Sequence, residues 1–339
     1  MTYDYLLPLI PRLAGHDILV AGDVFLDEYL IGRTERLSRE APITVLEFER
    51  QEFIPGGAAN PAANVAVLGS RAIQVGVVGP DANGETLRAM LQARRIDPSG
   101  LVTDPNRPTT TKTRILAQMG LRFPQQVARI DRIDRTPVNG GTKHAVIDCL
   151  HRVAAHVQAI MVSDYLTGLL TLPIVAAVRE IGQARGLLIT ADAQGELDKY
   201  AGFDLVKCNA DDAMQYVLRP LKTDADFADA GLTILERLKL RGGMLITRGP
   251  DGMTLIQQDR QVVHIPALRI EDVYDTVGAG DTVLAVVTLA RVAGAPYSDA
   301  AALANLAAGI VVRKVGNYAP SPDDLRAAVN GRSAPAGDG

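Results

Sequence analysis

Tryptophan is missing from this 339-residue chain, phenylalanine and tyrosine together supply only 4% of it, and cysteine occurs twice, as Cys149 and Cys208. Two cysteines so far apart form neither a CxxC pair nor a Cys/His spacing suited to zinc, so a disulfide scaffold and a structural zinc site are excluded and a reducing, cytoplasmic compartment is expected. His144, His151, His156 and His264 have no metal-ligand partners at useful spacing either, which leaves them as surface or core residues. An excess of positive charge is also lacking: 35 Lys and Arg stand against 39 Asp and Glu, a net charge of −4, so no overall basic field invites nucleic acid. Long hydrophobic runs are absent. The best of them, residues 278–295, is broken by Asp281 and Arg291, and residues 1–12 lack a basic start followed by an apolar stretch; neither a membrane span nor a signal peptide is expected. The dinucleotide fingerprint G-x-G-x-x-G after a strand, the phosphate loop G-x-x-x-x-G-K-[ST] and the nucleophile elbow G-x-S-x-G do not occur, which argues against three large enzyme classes.

Apolar residues are plentiful at 47%, enough for one large core. Short β-branched runs at 17–22, 73–78, 159–163, 187–191, 205–207 and 244–247 alternate with helical patterns at 58–68, 84–94, 142–155, 173–185, 224–238 and 281–293. Several of the runs are apolar throughout, as strands covered on both faces must be, so the order predicts an α/β fold with a doubly wound, mainly parallel sheet flanked by helices. Residues 32–54 and 109–130 break this rhythm with alternating patterns typical of half-exposed antiparallel strands, and they predict a small β-sheet lid over a cleft. A pair of edge hairpins with no role is the plainer alternative. One domain over residues 1–330 is expected, with residues 331–339 as a disordered tail.

The segment Asp275–Asp281 (DTVGAGD) carries the most chemistry, because Gly278-Ala279-Gly280 immediately precedes a long apolar helix. Small residues let the chain turn with its N–H groups facing outward at the helix N-terminus, where an anion is favoured. Asp281, in the first helical turn, is expected to stay ionised and to accept a proton near neutral pH, although a helix-capping role would use the same residue. A second glycine-rich segment, Pro55–Asn60 (PGGAAN), offers paired glycines for close approach of a ligand and an Asn60 amide that suits a vicinal diol. Asp23 and Asp27 follow the first predicted strand, at the end where open α/β sheets bind ligands. Asp27 reads as an acceptor for sugar hydroxyls or, equally, as a turn carboxylate.

The pair Gly56–Asn60 (GGAAN) and Asp275–Thr282 (DTVGAGDT) resembles the two signatures of the ribokinase-like (PfkB) carbohydrate kinases. The segments Gly22–Asp27 (GDVFLD), Ser38–Pro42 (SREAP), Thr111–Arg114 (TKTR), Ser163–Tyr165 (SDY) and Val273–Asp275 (VYD) are similar to the heptose-phosphate kinase branch of ADP-heptose synthesis, and the likeness runs from about Ile18 to Leu325. The resemblance implies a ribokinase-like fold, ATP and Mg²⁺ with a monovalent cation such as K⁺, and transfer to the anomeric hydroxyl of a heptose 7-phosphate. The exposed lid sheet offers an edge for dimerisation, so a homodimer through the lid is expected, and charge and hydropathy predict no nucleic acid or membrane partner.

Carried over by position, it implies that Asp27, Gly56, Gly57 and Asn60 hold the sugar, that Asp281 is the base, and that Gly278, Ala279 and Gly280 form the anion hole. On the predicted lid, Lys112, Arg114 and Arg129 are placed to grip a substrate phosphate or, equally, to form a solvated charged face, and Asp164 joins the substrate side. Asn209 and Asp212 match an Asn-x-x-Glu element that organises Mg²⁺, with Asp in place of Glu acting through water. Thr247, Gly249 and Gly252 match the nucleotide loop, Asn305 borders the adenine, and Asp275 is the acidic ligand of the monovalent cation. The chain departs from its branch at Thr167 and Gln194, where heptose kinases usually read Lys in Ser-Asp-Tyr-x-Lys-Gly and Asp-Pro-Lys-Gly. A kinase of another sugar, sugar phosphate or nucleoside, and a non-catalytic sugar-binding relative, stay open as alternatives.

Overall fold

The computed structural model of the chain describes residues 3–118, 124–268, 275–314 and 316–331. The expected tail, Gly331 apart, and Val273 and Tyr274 of the VYD motif lie outside the described residues. In chain order the elements are β1 (Asp17–Gly22), β2 (Val24–Leu37), β3 (Thr44–Gly57), α1 (Ala59–Val67), β4 (Arg71–Val78), α2 (Ala82–Ala93), β5 (Ile96–Thr103), β6 (Thr111–Gln118), β7 (Gln125–Arg132), α3 (Gly140–Val153), β8 (Ala159–Ser163), α4 (Leu172–Arg185), β9 (Leu188–Asp192), β10 (Leu205–Asn209), α5 (Ala210–Val217), α6 (Asp224–Leu238), β11 (Gly243–Thr247), β12 (Met253–Gln257), β13 (Val262–Ile265), α7 (Ala279–Val292), α8 (Tyr297–Val311) and α9 (Pro322–Val329).

Nine strands form the main sheet in the order β13-β12-β11-β10-β9-β8-β1-β4-β5. The run from β11 to β5 is parallel, and β12 and β13 add antiparallel at one edge. Strand β1 shows why its residues must be apolar throughout: Ile18 and Val20 enter the core shared with α1, α7 and α8, while Leu19 and Ala21 enter the core shared with α3, α4 and α6. Strand order reverses between β8 and β1, which places the ends of those two strands at the crevice where such sheets bind ligands. Helix α7 is buried along Asp281–Ala290 and is pinned by two polar contacts, Thr282 Oγ1 donating to Asn64 Oδ1 (3.0 Å) and Thr288 Oγ1 against Thr190 Oγ1 (2.8 Å). Among the described residues no helix is long and apolar enough to cross a membrane.

The second sheet has the order β3-β2-β6-β7. Two features correct the expectation from sequence. Its central pair, β2 and β6, is parallel, since the two strands arrive by separate excursions from the main sheet. Strand β2 begins at Val24, one residue after β1 ends, so Asp27 sits on a strand of the second sheet and not in a turn. Glycines 56 and 57 also serve the protein itself. A Cβ on Gly56 would fall 2.5 Å from both Asp27 Oδ2 and the Phe25 ring, and one on Gly57, at φ +65°, would fall 2.2 Å from the Asp23 carbonyl oxygen. Their lack of side chains lets β3 close onto β2, whereas the sequence suggested room for a ligand.

Candidate active site

Asp281 is only 4% exposed, in the first turn of α7. The Tyr165 hydroxyl reaches both its oxygens, at 3.0 and 2.8 Å, and Asn60 Nδ2 donates to Oδ2 at 3.2 Å. Burial, followed by the nearby negative charge of Asp192, pushes its carboxyl up to about 7; the Tyr165 hydrogen bond, the Lys207 charge and the Asn60 hydrogen bond pull the other way. The helix N-terminus therefore does not keep this carboxyl at its ordinary acidity: loss of water outweighs the helix charge. The result is a group that changes protonation near neutrality, which suits a general base. Asn60 faces this carboxylate as well as the crevice.

Tyr165 is held in place by a neighbouring carboxylate. Asp23, 3% exposed, accepts the backbone N–H groups of Tyr165 (3.0 Å), Thr167 (3.1 Å) and Leu169 (3.2 Å), which fixes the loop after β8. The Tyr165 ring packs edge-on against Phe25 at 5.4 Å between centroids. Replacing Tyr165 with Phe removes a hydrogen bond that lowers the Asp281 pKa, so the acid limb of the pH–kcat profile is expected to move upward from near 7, by about one unit, with the alkaline side unchanged. An unshifted acid limb in that variant would count against Asp281 as the titrating base.

The second sheet brings its predicted residues to the same crevice. Asp27 is 4% exposed and ion-paired with Arg114. Lys112, opposite Asp27 in the β2–β6 register, has its ammonium 3.7 Å above the Phe25 ring, and burial draws its pKa down. Arg129 and Asp164 are placed differently from expectation. Arg129 lies on β7, which is exposed along its length, and pairs with Asp131 at 2.9 Å, because β7 is the outer strand of that sheet. Asp164 is 2% exposed and fully engaged by the protein, with Lys199 Nζ at 2.7 Å, the Tyr200 hydroxyl at 2.5 Å and the Leu166 N–H at 2.9 Å. It orders the loop from inside.

On the other side of α7 a cavity of about 950 Å³ is lined by Asn209, Thr247, Gly249, Gly252, Ala279, Gly280 and Asn305. Residues from four separate segments thus meet around one space. Gly278 (φ +79°) precedes the helix, and Gly249 (φ +57°) and Gly252 (φ +85°) shape the loop after β11; a Cβ on Gly252 would fall 2.0 Å from the Ile265 carbonyl oxygen. Thr247 Oγ1 donates to the Cys208 carbonyl oxygen (3.3 Å), and Asn305 Nδ2 donates to the Pro266 carbonyl oxygen (2.8 Å), so both border the cavity while tied to backbone.

Asn209 caps α5 by accepting the Asp212 N–H at 2.8 Å, and Asp212 Oδ1 accepts the Gly195 N–H at 3.0 Å. Asp212 Oδ2 is buried without a hydrogen-bond partner, an orphaned acceptor that fits a cation reached through water. The described residues hold no group of three or more His, Cys, Asp or Glu that could hold a metal ion. Asp275 accepts the backbone N–H groups of Val277 (3.0 Å) and Gly316 (3.1 Å), which clamps the turn before α7.

Three residues at the centre carried no role in the sequence reading: Tyr165, Asp192 and Lys207. The legible signal was Lys207, a lysine inside the otherwise apolar β10, since an interior lysine is rare without a purpose.

A family model described as pfkB family carbohydrate kinase matches residues 16–324. The bifunctional protein HldE of Geobacter metallireducens is 41% identical over 308 residues, 91% of this chain and 61% of that protein. The bifunctional protein HldE of Caulobacter vibrioides is 37% identical over 337 residues, 99% of this chain and 68% of that protein. The chain spans about three fifths of the length of the first of these curated relatives. Arabidopsis thaliana ribokinase, solved with ribose and ATP, superposes with a TM-score of 0.70 at 18% identity, covering 93% of this chain and 99% of that one, and shares the fold. With 16–324 matched and the glycine-capped helix, the buried carboxylate and the cavity in place, this chain belongs to the pfkB family of carbohydrate kinases.

Proposed function

We propose that the chain transfers the γ-phosphoryl group of ATP to the anomeric hydroxyl of a heptose 7-phosphate, with Asp281 as general base. The observation that carries this reading is the position of Asp281, which follows Gly280 of the cavity wall and touches Tyr165, whose ring packs on Phe25 beneath the Lys112 ammonium. The sugar lies against Asp27 and Asn60, and the cations Lys112 and Arg114 suit an acceptor that already carries a phosphate. The likeness to the HldE proteins supports a heptose as that acceptor.

In the reaction, the Asp281 carboxylate accepts the proton of the sugar hydroxyl as its oxygen attacks the γ-phosphorus and the bond to the ADP oxygen breaks. The N–H groups at the start of α7, from Gly278 to Gly280, are aimed at the charge that builds on the transferred group. Asn209 and Asp212 would hold Mg²⁺, which supplies neutralisation of the phosphate oxygens when bound. Thr247, Gly249, Gly252 and Asn305 frame the nucleotide. The second sheet acts as a lid that excludes water from the acceptor hydroxyl.

Phosphorylation assays with ATP across heptose 7-phosphate, ribose, fructose 6-phosphate and adenosine test the reading. The heptose phosphate is expected to give the highest kcat/KM, about 100-fold or more above ribose and adenosine, because a phosphate-accepting site loses charge-assisted hydrogen bonds with neutral acceptors. Preference for another acceptor would move the assignment within the family, and sugar binding with no turnover of any acceptor would mark a non-catalytic relative.

The second sheet leaves Leu37, Ile43, Phe48, Val127 and Ile130 exposed, and a second copy of the chain is the proposed cover, giving a homodimer through the lid. Light scattering at micromolar concentration is expected to give twice the chain mass; a monomer mass would refute the dimer.

A further inference from the structure

Gln194 is uncharged, and a lysine is buried on β10, the strand beside β9. Lys207 on β10 is 5% exposed and stands directly opposite Asp192 of β9 in the parallel register. Its ammonium donates to Asp192 Oδ2 at 2.7 Å, the one hydrogen bond this group makes to the described residues, and an ammonium has three donors. A Cβ placed on Gly280 would fall 2.6 Å from Lys207 Nζ and 3.5 Å from Asp192 Oδ2. The ammonium therefore lies against the first turn of α7, at the middle glycine of the segment that would bind the transferred group. Lys207 also lines the cavity that holds Asn209, Thr247 and Asn305. A buried lysine is strongly disfavoured unless it has a partner and a use, and a buried ion pair offers little net stability compared with apolar residues of the same size. Glycine at 280 keeps the space between Nζ and the helix N-terminus open, where any side chain would close it.

We infer that Lys207, held by Asp192, is the cation that contacts the γ-phosphoryl group of the nucleotide, taking from β10 the part for which Gln194 carries no charge. This rests on the kinase reading and names a contact within it. Bound ATP places its terminal phosphate against the two remaining donors of the ammonium, while Asp192 keeps the third and prevents the side chain from reaching further into the cavity. ADP ends one phosphate short of that contact.

The test compares equilibrium binding of AMP-PNP with that of ADP, both with Mg²⁺, by titration calorimetry on the full chain. Lys207→Met is expected to weaken AMP-PNP about 10-fold or more and to leave ADP within about twofold, as a single charge-assisted contact to the third phosphate requires. Because removing one member of a buried ion pair leaves the other charge stranded, Lys207→Met/Asp192→Asn is measured beside it and is expected to lose the same preference. Adding Gln194→Lys to Lys207→Met is expected to restore part of the AMP-PNP affinity and of kcat. Equal weakening of both nucleotides, or no change in either, overturns the inference, as does wild-type binding with no preference for AMP-PNP. A wild-type chain that phosphorylates sugar while Lys207→Met keeps its kcat would remove Lys207 from the site and leave the kinase reading intact.

Discussion

Asp281→Asn is expected to lower the turnover number about 100-fold or more, the usual weight of a general base, with nucleotide affinity little changed. The same substitution is expected to make the protein more stable at pH 8. In the unfolded chain this carboxyl has an ordinary pKa of 3.8, and burial beside Asp192 pushes it up to about 7 in the fold. Below pH 4 both states carry the proton and the shift has no effect on stability. As pH rises from about 4 to about 7 the unfolded chain gives up its proton first, so stability falls through that window and the loss is complete above 7. A shift of this size corresponds to at most roughly 4 kcal/mol, part of which the Asn returns because its amide group opposes the Asn60 amide. Urea unfolding of both proteins at pH 8 and pH 4 checks this: the difference should be present at the first and gone at the second. Equal stability at pH 8, or turnover near that of the wild type, would reject Asp281 as a buried base.

Asp27→Asn should have the second-largest effect, on the sugar and not on the nucleotide. Asp27 is buried, faces Arg114 across the parallel β2–β6 pair, and stands against the bare Cα of Gly56. Asn keeps the shape and loses the charge, so a hydroxyl that donated to a carboxylate meets a weaker acceptor, and Arg114 is left with its charge unbalanced. The expected result is a fall of about 100-fold in kcat/KM for the sugar with KM for ATP within about twofold. A parallel rise in both KM values would show that the variant had disturbed the fold, and an unchanged sugar KM would place the acceptor elsewhere.

The main sheet was readable because its strands obey one strong rule: apolar on both faces, short, and separated by helices of regular period. Residues 17–22 and 159–163 were expected as strands with the bounds that β1 and β8 have, and residues 224–238 as the helix α6. Helix α8 was missed because Ala and Leu surround it on all sides, as a fully buried helix requires, and no periodicity survives. Strands β12 and β13, which add antiparallel at the sheet edge, were also missed. In the second sheet the alternation of residues was visible, but direction was not: period two is the same for parallel and antiparallel neighbours, and only the path of the chain decides. At the site, glycine-rich segments announced themselves, whereas Tyr165, Asp192 and Lys207 acquire meaning only when three strand ends meet. Gly56 and Gly57 teach the converse. They were noticed for the space they leave, and that space is filled by Phe25, Asp27 and the Asp23 carbonyl.

The single residue between β1 and β2 is Asp23, and the loop that carries Tyr165 hangs from its carboxylate by three backbone N–H groups. The pivot of the sugar-side sheet and the anchor of the tyrosine are thus one amino acid. A swing of that sheet about Asp23 would turn the mounting of the Tyr165 hydroxyl that covers Asp281, and we propose that acceptor docking and unmasking of Asp281 are coupled in this way. Amide exchange at Tyr165, Thr167 and Leu169 that slowed on adding sugar, in step with amides of β2, would show the coupling; independent rates would refute it.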